Sequence, residues 1–214
     1  MSTSKVSRHS LTVRLTHWVV ALSGLALVFS GFGALPMYGR YNLAKIPGLH
    51  WTGDFGIQLV LHYVMAIFFT AAIFFHLVFH LRRREFAALP KKGDLKESVE
   101  IVKAMVTGDQ EPPSGKFLAE QRLAYAAIGL ASVVLVVTGL IKTYKNAGIY
   151  TLDPRFLQSV TLTHTLATLI FMILFLFHVA AFLIRANRPL LESMFTGKVR
   201  RDYAEHRHSK WEIR

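Results

Sequence analysis

Long apolar runs separated by polar connections dominate the hydropathy pattern of the chain. Four runs are long enough for a helix to cross the hydrocarbon core of a bilayer, which takes about 20 residues; they lie near 14–35, 55–81, 122–144 and 158–184. Inside lipid, only helices and closed barrels satisfy every backbone hydrogen bond, and runs of this length predict helices. The sequence therefore predicts an all-α membrane protein, a four-helix transmembrane bundle in a single domain, 1–214.

The polar segments refine this picture. Basic residues precede the first run, but no small-residue cleavage site follows it, so we expect a retained helix rather than a signal peptide. Between the second and third runs, apolar residues recur among charges in DLKESVEIVKAMVTG, which predicts a short amphipathic helix at the membrane surface; they are Leu95, Val99, Val102 and Val106. Residues 185–214 predict a charged tail that is helical in part.

Basic residues are concentrated in three places. Of the 25 Lys and Arg, 3 precede the first span, 9 lie within 82–122, and 8 follow Phe182. Because basic residues favour the cytoplasmic side, both termini and the long central connection are predicted to be cytoplasmic. The net charge of +12 is thus a topology signal, reinforced by attraction to anionic lipid, and not a nucleic-acid-binding surface.

The chain contains no cysteine. This excludes disulfides, thiolate ligands for iron–sulfur clusters and the thioether attachment of c-type haem. An electron carrier in this chain would therefore be held non-covalently, and histidine is the obvious ligand.

Five histidines lie within or at the edge of the predicted spans: His17, His62, His76, His164 and His178. An imidazole in hydrocarbon costs free energy unless its ring nitrogens have partners, so such residues are functional candidates. Zinc sites prefer clustered ligands, and a proton pump would show a chain of intramembrane carboxylates; neither pattern is present. Haem held by two histidines, at two depths, is the favoured interpretation. Hydrogen-bonded structural histidines and a proton path are the alternatives.

The spacing of the histidines predicts how they pair. His164 and His178 are fourteen residues apart, which places them on nearly the same helix face about 21 Å apart along the axis. A flat macrocycle needs a ligand on each side, so each requires a partner at matching depth. His62 lies at the depth of His164, near the outer end of the second span. For His178 both His17 and His76 are candidates, and geometry slightly favours His76.

Glycines recur on the first and third predicted spans, at Gly24, Gly31, Gly33, Gly129 and Gly139. Because glycine has no Cβ, these positions let a large planar group or a neighbouring helix approach closely. The sequence leaves open which of the two it is.

Several stretches of the chain resemble the b-type cytochrome (gamma) subunit of respiratory membrane-bound formate dehydrogenases. They are RLTHWVVALSG at 14–24, GKFLAEQRLAY at 115–125, LVVTG at 135–139, THTLATLIFMILFLFH at 163–178 and TGKVRRDYAEHRHSKW at 196–211. The resemblance runs nearly the full length, in order. The wider family includes the cytochrome b subunits of nickel–iron hydrogenases, but the tail and the segment with Gln121 and Arg122 favour the formate dehydrogenase branch.

The resemblance implies two haem b groups and a specific set of axial ligands. His17 and His178 would bind the cytoplasmic-side haem, and His62 and His164 the periplasmic-side haem. This assignment replaces the geometric preference for His76, which would then lie near the inner haem or the quinone.

The resemblance also implies a quinone site beside the inner haem, at the segment before the third span. The family pattern there has an Asn followed by Ala-Gly-Gln, whereas this chain reads Leu118, Ala119, Glu120, Gln121. Gln121, Arg122 and His178 remain the expected quinone contacts. Glu120 is expected to be a solvated surface residue, with proton uptake as the alternative.

Together these expectations describe an electron-transfer subunit in the bacterial cytoplasmic membrane, with no substrate oxidation of its own. Electrons would come from an iron–sulfur subunit, served by a catalytic molybdenum or tungsten subunit, and would pass through two haems to quinone. A cytochrome b subunit of a nickel–iron hydrogenase, or of another molybdenum or tungsten oxidoreductase, is the alternative within redox proteins. A haem-free membrane anchor is the alternative from another class.

Overall fold

The computed structural model describes residues 4–148 and 151–213, so residues 1–3, 149, 150 and 214 of the predicted domain lie outside the described residues. Most of this chain is helical. The helices are α1 Leu11–Gly33, α2 Phe55–Arg83, α3 Asp94–Thr107, α4 Ala119–Asn146, α5 Pro154–Ala180, α6 Arg188–Thr196 and α7 Arg201–Arg207, and two short strands are β1 Lys5–Ser7 and β2 Lys198–Arg200.

Four helices, α1, α2, α4 and α5, are long and apolar enough to cross a membrane. The predicted all-α membrane fold with four spans is therefore confirmed. Three of the four spans begin three or four residues earlier than predicted, at Leu11, Ala119 and Pro154, because hydropathy does not detect polar first turns. Asp153 accepts a hydrogen bond from the backbone N–H of Phe156 at 2.9 Å and caps α5, with Pro154 in its first turn.

The chain forms two compact units. One is Leu15–Phe79, which holds most of α1 and α2 and the connection between them. The other takes in the N-terminal arm up to Arg14 and the chain from His80 onward. In this second unit α4 packs along α5, and α3 packs on α4.

In the unit Leu15–Phe79, a buried glutamine holds the end of α1 close to the start of α2. Gln58 is fully buried, and its side-chain amide donates to the carbonyl of Thr52 at 3.1 Å. A Cβ on Gly33 would lie 2.7 Å from Cδ of Gln58. A larger residue at position 33 would therefore displace the Gln58 side chain from this buried position.

Helix α3 has the predicted amphipathic character. Its inward face buries Ile101 and Ala104, and Ile101 packs against Leu118 and Ala119 at the start of α4. The stripe that the sequence singled out faces outward, with Leu95 74% and Val106 83% exposed. An exposed apolar stripe of this kind suits a helix that lies on lipid.

A buried ion pair fixes α3 to α4. Two nitrogens of the Arg122 guanidinium donate to the two carboxylate oxygens of Asp94, at 2.7 and 2.6 Å. Both side chains are buried, and the arginine holds the pKa of Asp94 below its usual range. Breaking such a pair leaves a buried charge uncompensated and typically costs about 3–5 kcal/mol, so it locks the two helices together.

The N-terminal arm and the C-terminal tail form a small sheet. Strand β1 pairs antiparallel with β2, Val6 opposite Val199. Just before β2, Gly197 has a φ of +78°, and its carbonyl accepts hydrogen bonds from the N–H groups of Arg8 and His9. The Arg14 guanidinium donates to the carbonyl of Phe195. The tail is thus folded against the arm rather than freely solvated.

Beyond the sheet, the tail closes over the connection that leads into α4. His208 is fully buried and donates from Nδ1 to the carbonyl of Gly115 at 2.8 Å. The N–H of Lys210 donates to the carbonyl of Ser114. Arg8 of the arm donates to the carbonyl of Lys116 at 2.5 Å. Arm, connection and tail therefore lie on the same side of the membrane; that this side is cytoplasmic remains a prediction from charge.

We predict that acidification loosens the tail. Burial, reinforced by the nearby Arg8 charge, lowers the pKa of His208 to about 4. Because the folded-state pKa lies below the unfolded value of about 6.5, the stabilisation is complete above that value and is lost as the pH falls towards 4. At pH 5 the loss amounts to about 2 kcal/mol. Hydrogen–deuterium exchange of residues 198–211, corrected for the intrinsic pH dependence, should accelerate by about 30-fold between pH 7.5 and 5.

Two variants separate this effect from general acid sensitivity. His206→Ala removes the exposed histidine of α7, two residues before His208, and should leave the pH step intact. His208→Ala should remove the step and lower protection at both pH values. Equal protection of the wild-type tail at pH 7.5 and pH 5 would contradict the prediction.

Candidate functional site

The five singled-out histidines lie on three of the membrane-length helices. The unit Leu15–Phe79 carries His17 on α1 with His62 and His76 on α2, and the other unit carries His164 and His178 on α5. Helix α5 is continuous between its two histidines, so they are about 21 Å apart along the axis, as expected. The pairing of histidines from different units, His62 with His164 and His17 or His76 with His178, stays a prediction.

His62 has a buried hydroxyl partner on α1. Its Nδ1 lies 3.0 Å from Oγ of Ser30, which is fully buried. The same hydroxyl bonds the carbonyl of Ala26, one turn back in α1, at 2.7 Å. The next residue, Gly31, faces the imidazole edge, and a Cβ there would lie 3.4 Å from Cε1 of His62.

His164 has the same setting on α4. Its Nδ1 lies 2.7 Å from Oγ1 of Thr138, which is also buried. The threonine hydroxyl bonds the carbonyl of Val134 at 2.7 Å. Gly139 follows, and a Cβ there would lie 3.5 Å from Cε1 of His164.

A hydroxyl residue followed by glycine thus faces a histidine of the next span in both units. The two glycines were among the residues predicted from the sequence, whereas Ser30 and Thr138 were missed. Each of these two residues precedes a glycine, but Ser23-Gly24 on α1 has the same pattern, so the dipeptide alone does not identify them. At both positions the planar group beside the glycine is a histidine ring.

Both histidines fit an axial haem ligand. Metal-ligating histidines almost always donate their second ring N–H to an oxygen, which fixes the tautomer and the ring orientation. A bond at Nδ1 assigns this supporting role to Nδ1 and the ligating role to Nε2. The donor set is therefore one that haem iron accepts.

The histidines predicted for the inner haem have aromatic neighbours. The ring of His17 meets Trp18 edge-on, with centroids 5.3 Å apart. His178 meets Phe182 one turn further along, with centroids 5.9 Å apart. Both histidines predicted to bind the inner haem, His17 and His178, thus pack against an aromatic ring on their own stretch of the chain.

The predicted quinone contacts lie at the first turn of α4. The side-chain oxygen of Gln121 accepts from the backbone N–H of Leu118 at 3.2 Å. Arg122 binds Asp94 and the carbonyl of Phe117. Both side chains therefore have structural roles in shaping this turn, and their contact with quinone stays a prediction.

Glu120 differs from the expectation of a solvated surface residue. Its side chain is half-buried, and its Oε2 is inaccessible to solvent with no hydrogen-bond partner in the described part of the chain. A buried carboxyl oxygen without a partner favours the neutral, protonated acid, because desolvation penalises the charged form. The alternative weighed from sequence, a group that takes up protons, thereby gains support.

Comparison with known families gives one match, which covers most of the chain. Residues 8–197 match the family described as prokaryotic cytochrome b561, a range that contains all four membrane-length helices and the five histidines. No curated protein matches the chain. Because the match extends over far more than half of the sequence, the chain belongs to the prokaryotic cytochrome b561 family, whose members are membrane proteins that bind haem b and transfer electrons.

Proposed function

We propose that the chain is the membrane-anchoring, di-haem cytochrome b subunit of a formate dehydrogenase in the bacterial cytoplasmic membrane. In this role it relays electrons from an iron–sulfur subunit, which receives them from a molybdenum or tungsten subunit, to membrane quinone. The observation that carries the proposal is the matched setting of His62 and His164, each held at Nδ1 by a buried hydroxyl beside a glycine.

In the proposal, His62 and His164 ligate one haem, and His17 and His178 the other, with His76 as the alternative partner of His178. Haem b, when bound, takes up and gives up one electron at a time. The chain supplies the axial nitrogens, the hydrogen bonds behind them and an apolar surround. Two sites about 21 Å apart along α5 divide the thickness of the membrane into two short steps.

Contacts between the tail and the connection before α4 support the formate dehydrogenase branch. The two stretches that favour this branch, GKFLAEQRLAY and the tail, bond each other directly. His208 reaches Gly115, and Lys210 reaches Ser114 just before it. They form one folded feature, so the resemblance rests on a structural unit rather than on two unrelated similarities.

Quinone is proposed to react beside the first turn of α4, with Gln121, Arg122 and His178 as contacts. Reduction of a quinone to the quinol consumes two electrons and two protons. The haems supply only electrons, so the protons come from the protein or the water behind it. Glu120 is the candidate donor, because its Oε2 is buried and without a partner in the described chain.

The ligand assignment predicts how many haems each variant keeps. Wild-type protein should contain two haem b groups per chain in a pyridine haemochrome assay. His62→Ala and His164→Ala should each lose one haem, because a bis-histidine site with one ligand removed binds haem poorly. The double variant should also lose only one, because both residues serve the same haem. His50→Ala, outside the long helices, is the control and should keep two.

The inner site is resolved by the same assay. His178→Ala should lose one haem, and His17→Ala should match it, while His76→Ala keeps both. Loss in His76→Ala and not in His17→Ala would make His76 the ligand. A double His62→Ala/His164→Ala variant without any haem would refute the shared site. A colourless wild-type protein would leave the haem-free membrane anchor as the remaining function.

The identity of the donor predicts which substrate reduces the haems. In membranes that contain the native complex, formate should produce the α-band of reduced haem b, and an affinity-tagged chain should co-purify with a molybdenum or tungsten subunit. Reduction by hydrogen and not by formate would instead support the nickel–iron hydrogenase alternative. Membranes from a strain without this chain are the control.

The proposed proton donor predicts a defect confined to quinone. Glu120→Gln removes the proton and preserves the shape of the side chain, so haem content and reduction of the haems by formate should not change. Electron flow from formate to a quinone analogue should fall about 100-fold, since a positioned general acid typically contributes at least that much. Glu100→Gln, at an exposed site on α3, should have no effect. Wild-type quinone reduction by Glu120→Gln would exclude this role.

A further inference from the structure

We infer that Ser30 and Thr138 are positioning residues that hold His62 and His164 in the Nδ1-protonated tautomer and thereby lower the reduction potential of the haem they ligate. The inference rests on the proposed function, because it takes both histidines as ligands. It adds two residues, neither of which contacts the metal, as determinants of the electronic properties of the site.

The direction of each hydrogen bond follows from counting protons. A serine or threonine hydroxyl has one proton and two lone pairs. The Ser30 hydroxyl lies 2.7 Å from the carbonyl of Ala26, and a carbonyl can only accept, so the hydroxyl proton points there. Towards His62 the same oxygen offers a lone pair, and the proton of that second bond belongs to Nδ1. In the same way, the Thr138 hydroxyl donates to the carbonyl of Val134 and accepts from Nδ1 of His164.

The opposite arrangement is less favourable in this setting. If the hydroxyl donated to Nδ1, the carbonyl one turn back in the same helix, 2.7 Å away, would face an oxygen lone pair. Oxygen lone pairs at that distance repel in a low dielectric. The helix backbone therefore selects the tautomer, by fixing the hydroxyl proton one turn back.

Fixing Nδ1–H determines which nitrogen can bind a metal. In the neutral imidazole the other nitrogen, Nε2, then carries the lone pair. The hydrogen bond also limits rotation of the ring, and the Cε1 edge lies so close to the glycine that a Cβ built on Gly31 or Gly139 would be in van der Waals contact with it. A side chain larger than alanine at either glycine would push the ring away from its hydroxyl.

The bond has an electronic consequence as well. An Nδ1–H that donates to an oxygen makes the imidazole a stronger electron donor, which raises ligand basicity and stabilises the ferric state. A hydroxyl that already donates to a carbonyl is a better acceptor, because hydrogen bonds in a chain polarise one another. Each hydroxyl should therefore lower the reduction potential of the haem, and the shorter bond, at Thr138, should have the larger effect.

A hydroxyl that bonds the carbonyl of the preceding helical turn does not for that reason also contact a histidine. Ser23 on α1 and Ser132 on α4 are equally buried and bond the carbonyls of Val19 and Ile128 in the same way. In the described part of the chain, neither of these two hydroxyls bonds a histidine. They are therefore matched controls, because they make the same bond to a carbonyl of their own helix but no bond to a proposed haem ligand.

The test is a spectroelectrochemical titration of Ser30→Ala, Thr138→Val and the double variant. The potential of one haem should move to more positive values, shifting its oxidised-to-reduced ratio at a fixed applied potential by about three- to tenfold per bond. The other haem should not move. Ser30→Thr and Thr138→Ser should restore the wild-type value, and Ser23→Ala and Ser132→Ala should leave both potentials unchanged.

The outcomes distinguish this inference from the function on which it rests. Two haems with unchanged potentials in the double variant would overturn the inference and leave the proposed function intact. An equal shift in the Ser23→Ala and Ser132→Ala controls would overturn it too, by showing that the effect comes from helix packing. Absence of haem from the wild-type protein would instead overturn the proposed function.

Discussion

Every polar group in a membrane-spanning segment must find its partner within the protein, because hydrocarbon offers none. This constraint governs the long helices of the chain. Their buried hydroxyls turn back to carbonyls of the same helix, as Ser132 does to Ile128. At two positions, Ser30 and Thr138, the hydroxyl oxygen makes a second hydrogen bond, and both times its partner is Nδ1 of a histidine on the following helix. The location of these imidazoles thus follows from the same rule that shapes the helices.

The opposite situation holds where the two termini meet. Arm, connection and tail carry many charges, and besides ion pairs such as Lys5–Glu192 they contain buried charged and titratable side chains whose partners are backbone carbonyls and aromatic rings. Arg8 is buried and uses the carbonyl of Lys116 and the faces of Phe117 and Trp211. His208 is buried as a neutral ring because burial disfavours its charge. This part of the molecule is a folded cap on the second unit, built from backbone carbonyls and aromatic faces.

Much of the fold was predictable from sequence because length and hydropathy report directly on the cost of exposing a helix to lipid. The four spans, the amphipathic helix α3 and the candidate histidines all follow from that cost. The start of α5 at Pro154 was missed, since a capping Asp153 has no hydropathy signal. The tail was correctly predicted to be helical in part, but its pairing with the arm was missed, because a three-residue strand such as Lys198–Arg200 gains its stability from a distant partner, Lys5–Ser7.

The candidate site was predictable only in part, for a related reason. Histidine stands out in an apolar run, whereas Ser30 and Thr138 look like ordinary small residues of a membrane helix. Their role depends on contacts between residues of different helices, which are 32 positions apart for Ser30 and His62 and 26 for Thr138 and His164. The two settings also differ in hydroxyl residue and in this interval, so no fixed repeat reveals their likeness. Only the three-dimensional contact shows that both units contain the same device.

That each contact lies within one unit has a physical consequence for assembly. Ser30 and His62 belong to Leu15–Phe79, while Thr138 and His164 belong to the unit that begins at His80. The orientation of each ring is therefore fixed by the folding of its own pair of helices and requires neither the other unit nor a bound cofactor. Rotational entropy lost in advance is not lost again on binding, which is the general advantage of preorganised ligands.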